Sequence, residues 1–168
     1  MKTIACLVAV ALAPIAVIAV IAKEKEAKVV VPDASVTDVS FGEVVNEVPF
    51  NKDEVAGKVV VVEEWGVNCG PCIASLPKLA KLAKSNEKKG LVVVGLECQG
   101  GTKEVILKLL KTAHVEYPVM SGGSAPGGTG TIPHVCVFDT TGKLVFNGSP
   151  QDENFERAVK KELRGVKK

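Results

Sequence analysis

Two apolar runs without a polar interruption, Val59-Val60-Val61-Val62 and Leu91-Val92-Val93-Val94-Gly95-Leu96, stand out along the chain. A strand covered on both faces needs apolar side chains at every position, so both runs are expected as central strands. Between them Ile73, Leu76, Leu79, Leu82 and Ala83 recur at helical spacing with lysines interposed, until Lys88-Lys89-Gly90 closes the segment. From Thr102, a residue suited to an N-cap, Val105, Ile106, Leu109, Leu110 and Ala113 mark a second amphipathic helix ending near His114. Strand, helix, strand, helix implies parallel pairing.

The last third changes rhythm. Val135 to Phe138 and Leu144 to Phe146 are short strands joined by Asp139-Thr140-Thr141-Gly142, a composition suited to an antiparallel hairpin. A final helix follows, with Ser149 as its expected cap, Pro150 at its first position, and Phe155, Ala158, Val159 and Leu163 as its stripe. Upstream, Ser40 to Phe50 holds short apolar stretches broken by Gly42 and Asn46, consistent with a small hairpin ahead of the core. The expected architecture is an α/β domain with a central mixed sheet flanked by helices.

The amino terminus is of another kind. Met1-Lys2-Thr3 precedes an uncharged run from Ile4 to Ala22, followed by Lys23-Glu24-Lys25-Glu26. A charged start, an apolar middle and the ending Val20-Ile21-Ala22 fit a secretory signal. The run of 19 residues exceeds the usual signal core of about 7–15, so residues 4–22 are alternatively an uncleaved membrane anchor. Either outcome places the rest outside the cytoplasm, periplasmic or secreted. Cys6 has only five residues before it, leaving no apolar region upstream for a lipidation signal. The expected division is therefore 1–22 signal or anchor, 23–35 linker, and 36–168 a single domain.

Composition narrows the function classes. A chain of 168 residues, 46% hydrophobic, suits one core. Its formal net charge of +2 comes with no basic block, so nucleic acid is not an expected partner. Of five cysteines only Cys69 and Cys72 are close together, which is a redox pattern before it is a disulfide framework.

Trp65-Gly66-Val67-Asn68-Cys69-Gly70-Pro71-Cys72 lies where a buried strand ends and a helix begins. At a helix N-terminus, unpaired N–H groups and the dipole favour a thiolate, making Cys69 the expected nucleophile. Cys72, on the first turn, is placed to resolve a mixed disulfide. A second C-x-x-C pair and an H-x3-5-H arrangement are both lacking, which disfavours structural zinc. So short a loop also gains little from a purely structural disulfide.

With these residues in view the chain resembles the thioredoxin superfamily, and within it the extracytoplasmic TlpA/ResA branch. Cys69-Gly70-Pro71-Cys72 is the thioredoxin active-site sequence, Trp65 lies four residues before Cys69, and Pro77 lies five after Cys72. Glu63 occupies the place of the family's buried acid, and Thr131-Ile132-Pro133 looks like its cis-proline loop. The likeness runs from about Gly57 to Leu163. It implies a thioredoxin fold and a dithiol–disulfide cycle at Cys69 and Cys72, with Glu63 taking the proton of Cys72. It also implies substrate contacts from Trp65, Gly70, Pro71, Ile132 and Pro133. No cofactor and no metal is implied. The implied partners are disulfide-containing exported proteins and a thiol electron donor, membrane-bound or soluble.

Several positions depart from the family's pattern. Asn68 stands where a second tryptophan is common, Glu64 where an aromatic residue is typical, and Ser75 where many TlpA/ResA-like proteins carry glutamate. The stretch 121–130 is glycine-rich and is expected as a flexible loop beside the active site. Cys98 is at the end of a parallel strand, on the edge where such sheets place their sites, but lone cysteines near strands are usually buried hydrophobes, as expected for Cys136. Two other functions compete: a copper-binding module using Cys69, Cys72 and His134, and a thiol peroxidase. The peroxidase reading needs a threonine where Gly66 stands.

Overall fold

A computed structural model describes residues 31–128 and 130–166. The expected export segment, with Cys6, lies outside the described residues.

The elements in chain order are β1 (Ser40–Val44), β2 (Val59–Trp65), α1 (Gly70–Asn86), β3 (Leu91–Glu97), α2 (Lys103–Thr112), β4 (Val119–Ser124), β5 (His134–Phe138), β6 (Leu144–Gly148) and α3 (Glu153–Leu163). They form one mixed sheet of order β1-β4-β3-β2-β5-β6. The two valine-rich runs are its centre: β2 pairs β3 in parallel and β5 in antiparallel fashion. Successive side chains of a strand leave on opposite faces. Val59, Val61 and Trp65 of β2 accordingly join a core built with Leu76 and Leu79 of α1, Ile106 and Leu110 of α2, and Phe155 and Val159 of α3. Val60 and Val62 join a second core with Met120, Cys136, Phe138 and Leu144, covered by Val36, Val39, Phe41 and Phe50 from the segments ahead of β2. A strand with two such faces has to be apolar throughout, which explains the valine run.

Three expectations need correction. The stretch Ser40 to Phe50 does not fold on itself as a hairpin; β1 pairs antiparallel with β4, Ser40 opposite Ser124 and Val44 opposite Met120. Ser121 to Ser124 are consequently strand rather than loop. Serine and glycine carry little strand propensity of their own, and pairing with β1 supplies what local preference does not. Finally, α3 is capped by Asp152, whose side chain accepts from Asn154 N at 2.8 Å, while Ser149 accepts from Gln151 N in the turn before it. Thr102 caps α2 as expected, accepting from Val105 N.

Candidate active site

The site begins with a backbone lock between two loops at the carboxyl ends of β2 and β3. Cys98 N donates to Trp65 O at 2.9 Å, Val67 N to Glu97 Oε1 at 3.2 Å, and Asn68 N to Gln99 Oε1 at 2.8 Å. Glu97 is fully buried and also accepts from Gln99 N at 3.1 Å and Gly101 N at 2.9 Å. The Gln99 side chain occupies the space a Cβ at position 66 would need, with its closest atom 2.3 Å away, so the residue there is glycine. These contacts fix the point at which α1 starts.

Cys69 is the N-cap of α1, and its Sγ accepts from Cys72 N at 3.2 Å. Gly70 opens the helix and Pro71, in its first turn, lacks an N–H where none could be bonded within the helix. Cys69 and Cys72 form a disulfide with an S–S distance of 2.11 Å. The pair is unequal in access: Cys69 is half-buried, Cys72 fully buried. Cys69 Sγ lies 3.8 Å from the carbonyl oxygen of Ile132, and the Ile132–Pro133 peptide is cis. Residues 63 apart in sequence thus meet at the sulfur.

Beneath the disulfide lies Glu63, with no exposure to solvent. Ser75 Oγ is 3.2 Å from Glu63 Oε1 and 2.7 Å from Cys72 O, so one hydroxyl touches both the acid and the backbone of the buried cysteine. On its other side Tyr117 donates to Glu63 Oε2 at 3.3 Å. Loss of hydration pushes the Glu63 carboxyl up to about 8, against the opposing effect of the two hydroxyl groups. Burial and the neighbouring Glu63 carboxyl likewise hold the Tyr117 phenol above its ordinary value.

Trp65 differs from its expected place at the substrate surface. As an odd-numbered residue of β2 it points into the helical core and is fully buried, so it supports the loop from below. His134 also differs. Glu64 pairs in register with His134, and the two side chains form an ion pair of 2.8 Å on the sheet face opposite Cys72. The copper reading that combined His134 with Cys69 and Cys72 is therefore contradicted by strand alternation. Cys98 is exposed rather than a buried hydrophobe, and burial of part of its surroundings with the charges of Glu64 and Glu97 pushes its thiol up to about 11. Cys136 is buried as expected.

Sequence reasoning missed Tyr117, Glu97 and Gln99, and it valued Ser75 only for what it was not. One signal pointed to Tyr117. Gly95 interrupts the apolar run of β3, and a Cβ there would lie 3.3 Å from the Trp65 indole nitrogen and 3.4 Å from the Tyr117 ring. A strand glycine of this kind marks a close approach by other groups.

A disulfide at a helix N-terminus, one sulfur half-buried and one fully buried above an acid of raised proton affinity, on a mixed sheet of this order, is the arrangement of the thioredoxin fold. A family model described as Redoxin matches residues 27–163, and the chain belongs to that family. It is similar to the thiol-disulfide oxidoreductase ResA of Bacillus thuringiensis subsp. konkukian, 28% identical over 111 residues, which is 62% of this chain and 64% of that one. The chain spans 55–65% of the length of the curated relatives it matches. Among solved structures, a thiol:disulfide interchange protein of the thioredoxin family from Chlorobium tepidum superposes with a TM-score of 0.64 at 25% identity, covering 78% of this chain and 95% of that one. A secreted disulfide oxidoreductase of Mycobacterium tuberculosis superposes at 0.57 with 16% identity, covering 78% and 97%, and supports the fold.

Proposed function

We propose that this protein is an extracytoplasmic thiol–disulfide oxidoreductase that reduces disulfides in exported proteins. The observation that carries the reading is the unequal pair: Cys69 accessible at the start of α1, Cys72 buried beside Ser75 and Glu63. In the reduced protein, the Cys69 thiolate attacks one sulfur of a substrate disulfide. A mixed disulfide forms and the other substrate sulfur leaves as a thiolate. Cys72 then gives its proton to the Glu63 carboxylate and attacks Cys69 Sγ, the second substrate sulfur leaves, and two electrons have moved from protein to substrate. The bond formed is the Cys69–Cys72 disulfide.

An acid with its proton affinity near 8 is suited to this exchange, because it binds and releases a proton close to neutral pH. A substrate strand would meet Cys69 between the exposed Gly70-Pro71 edge and the backbone of Ile132 next to Pro133, adding hydrogen bonds as a sheet edge does. The Gly-Pro spacer is that of thioredoxin, which stands at the reducing end of this group of proteins and favours a reductant. A thiol protein, membrane-bound or soluble, would return the electrons.

Export rests on residues 1–22, with 23–35 as the linker to a domain beginning near Val36. One structural relative is itself described as secreted. Among the described residues no helix is long and apolar enough to cross a membrane.

The test is a substrate trap. With Cys72→Ala in the native host, the mixed disulfide on Cys69 cannot resolve, and exported proteins attached to Cys69 should be recovered. An empty trap, together with no insulin reduction by the wild-type protein under dithiothreitol, would refute the reading.

A further inference from the structure

The sheet face away from the disulfide holds a polar group that the thiol chemistry does not use. Glu64 and His134 have side chains only 12% and 8% exposed. The imidazole lies between two acceptors: Nδ1 is 2.8 Å from Glu64 Oε2, and Nε2 bonds Asn147 Oδ1. The orientation of the Asn147 amide is fixed by its other half, since Nδ2 donates to Gly127 O at 3.2 Å. With an oxygen facing each nitrogen, both bonds exist together only when the ring carries two protons.

The same group holds the chain that leads toward the substrate side. Glu64 Oε1 accepts from Ala125 N at 3.0 Å, Cys136 Sγ donates to Pro126 O at 3.3 Å, and Asn147 holds Gly127 O. His134 is itself bonded to Pro133 through the peptide link. The Ala125–Gly127 turn, through Glu64 and Asn147, and the Ile132–Pro133 edge against Cys69, through the peptide link, are thus both tied to the His134 group.

We propose that His134, as an imidazolium held between Glu64 and Asn147, is a positioning residue that fixes Pro133 and the Ala125–Gly127 turn and thereby sets affinity for protein disulfide substrates. The inference rests on the oxidoreductase reading above and assigns it a determinant of substrate docking on the face opposite the sulfurs. Small disulfides, which need no strand-like docking, do not depend on it.

The titratable groups facing this cluster are Glu64 from β2, Cys98 after β3, and Cys136 from β5. Glu64 is held below the ordinary carboxylate range: its hydrogen bonds outweigh its burial, the largest single influence. Both thiols are pushed up, to about 11 and about 12, and stay neutral around pH 7. The Glu64 bond raises the proton affinity of His134. A raised value means that the latch is complete at low pH and is lost as pH climbs through the His134 titration.

The experiment compares two rate constants on the full chain between pH 5.5 and 9: kcat/KM for insulin, and the second-order constant for oxidised glutathione. Their ratio cancels the titration of Cys69. In the wild type the ratio should fall at least threefold as His134 deprotonates, through KM rather than kcat. His134→Leu should give a ratio at least threefold below the wild-type value at pH 6 and flat with pH, meeting the wild type where His134 is deprotonated, with the glutathione constant within twofold of wild type. Glu64→Gln should be the informative rescue. Its amide can donate to a neutral imidazole and still accept from Ala125 N, so the ratio should stay near wild type at pH 6 and lose its pH dependence.

A wild-type ratio that is flat with pH, an unchanged KM in His134→Leu, equal losses toward both disulfides, or a retained pH dependence in Glu64→Gln would each overturn the proposal. If His134→Leu does not fold, Glu64→Gln decides. Failure of the oxidoreductase reading looks different, since the wild type would then react with neither disulfide.

Discussion

Tyr117 reaches Glu63 across the sheet: its hydroxyl donates to Glu63 Oε2 at 3.3 Å, from a position 54 residues away in sequence. The reach depends on Gly95, which pairs with Glu63 in the parallel register and leaves room beside the tyrosine ring. Ser75 approaches the same carboxyl from α1. An acid without solvent is therefore bonded by one hydroxyl on the side of Cys72 and one on the side of β4. Since burial without partners is the costlier arrangement, these hydroxyls make the site tolerable while the carboxyl keeps a proton affinity near 8 and exchanges its proton close to neutrality.

The first prediction concerns stability. Glu63 is raised from 4.5 to about 8 in the folded protein. Between these values the folded chain holds a proton that the unfolded chain has lost, so stability falls as pH rises, by about 1.4 kcal/mol per unit across the window. Glutamine has no such titration. Urea denaturation of the oxidised protein should find Glu63→Gln gaining on the wild type from pH 5 to pH 8, by roughly 3 kcal/mol or more, and no further above that. A difference constant with pH would place the carboxyl in its ordinary range.

The second concerns rate. Because Tyr117 donates to the carboxylate form, Tyr117→Phe should raise the proton affinity of Glu63 by roughly half to one unit. The resolving step, followed as release of a mixed disulfide in single turnover, should then have its pH midpoint displaced upward. Attack by Cys69 in the first step should keep its profile. A midpoint shared by both proteins would separate Tyr117 from the proton transfer.

Much of this arrangement was legible in the sequence, and the exceptions have physical causes. Valine runs, lysine-spaced helices and the Asp139 to Gly142 turn follow from local pattern, which is why the sheet centre and its helices were expected correctly. β4 was not, because Val119-Met120-Ser121-Gly122-Gly123-Ser124 becomes a strand through pairing with β1 and β3. Cys69, Cys72, Glu63 and Pro133 could be read from spacing and resemblance. The side a strand residue faces was harder to read. Glu63 and Glu64 are adjacent and equally acidic, yet one lies under the disulfide and the other pairs with His134 behind the sheet. Trp65 was misplaced for the same reason.

A third prediction tests the backbone lock. Glu97 accepts from three N–H groups, those of Val67, Gln99 and Gly101. Glu97→Ala leaves all three without this partner in a buried place and should cost roughly 2–4 kcal/mol. Glu97→Gln retains one acceptor oxygen and should cost less. Chemical denaturation orders the variants, and slower trapping of a small disulfide by Glu97→Ala would link the loss to the start of α1. An alanine variant as stable as the wild type would remove Glu97 from this role.

The fourth prediction sets exposure against proton affinity among the cysteines. Judged by exposure, Cys98 should react first, because it is open to solvent while Cys69 is half-buried. Alkylation, however, proceeds through the thiolate. Cys98 at about 11 and Cys136 at about 12 hold very little thiolate at pH 7, on the order of one part in ten thousand or less. Cys69, once reduced, sits at the N-terminus of α1 and has the Cys72 N–H to stabilise its charge. After mild reduction and a short pulse of iodoacetamide at pH 7, peptide mapping should find the label on Cys69, well ahead of Cys98, with Cys72 and Cys136 protected by burial. Repeating the pulse near pH 10 should bring up Cys98 in particular, since its access is already present and only its proton stands in the way. Rapid labelling of Cys98 at pH 7 would mean that partial burial and the negative charges of Glu64 and Glu97 do not hold this thiol up.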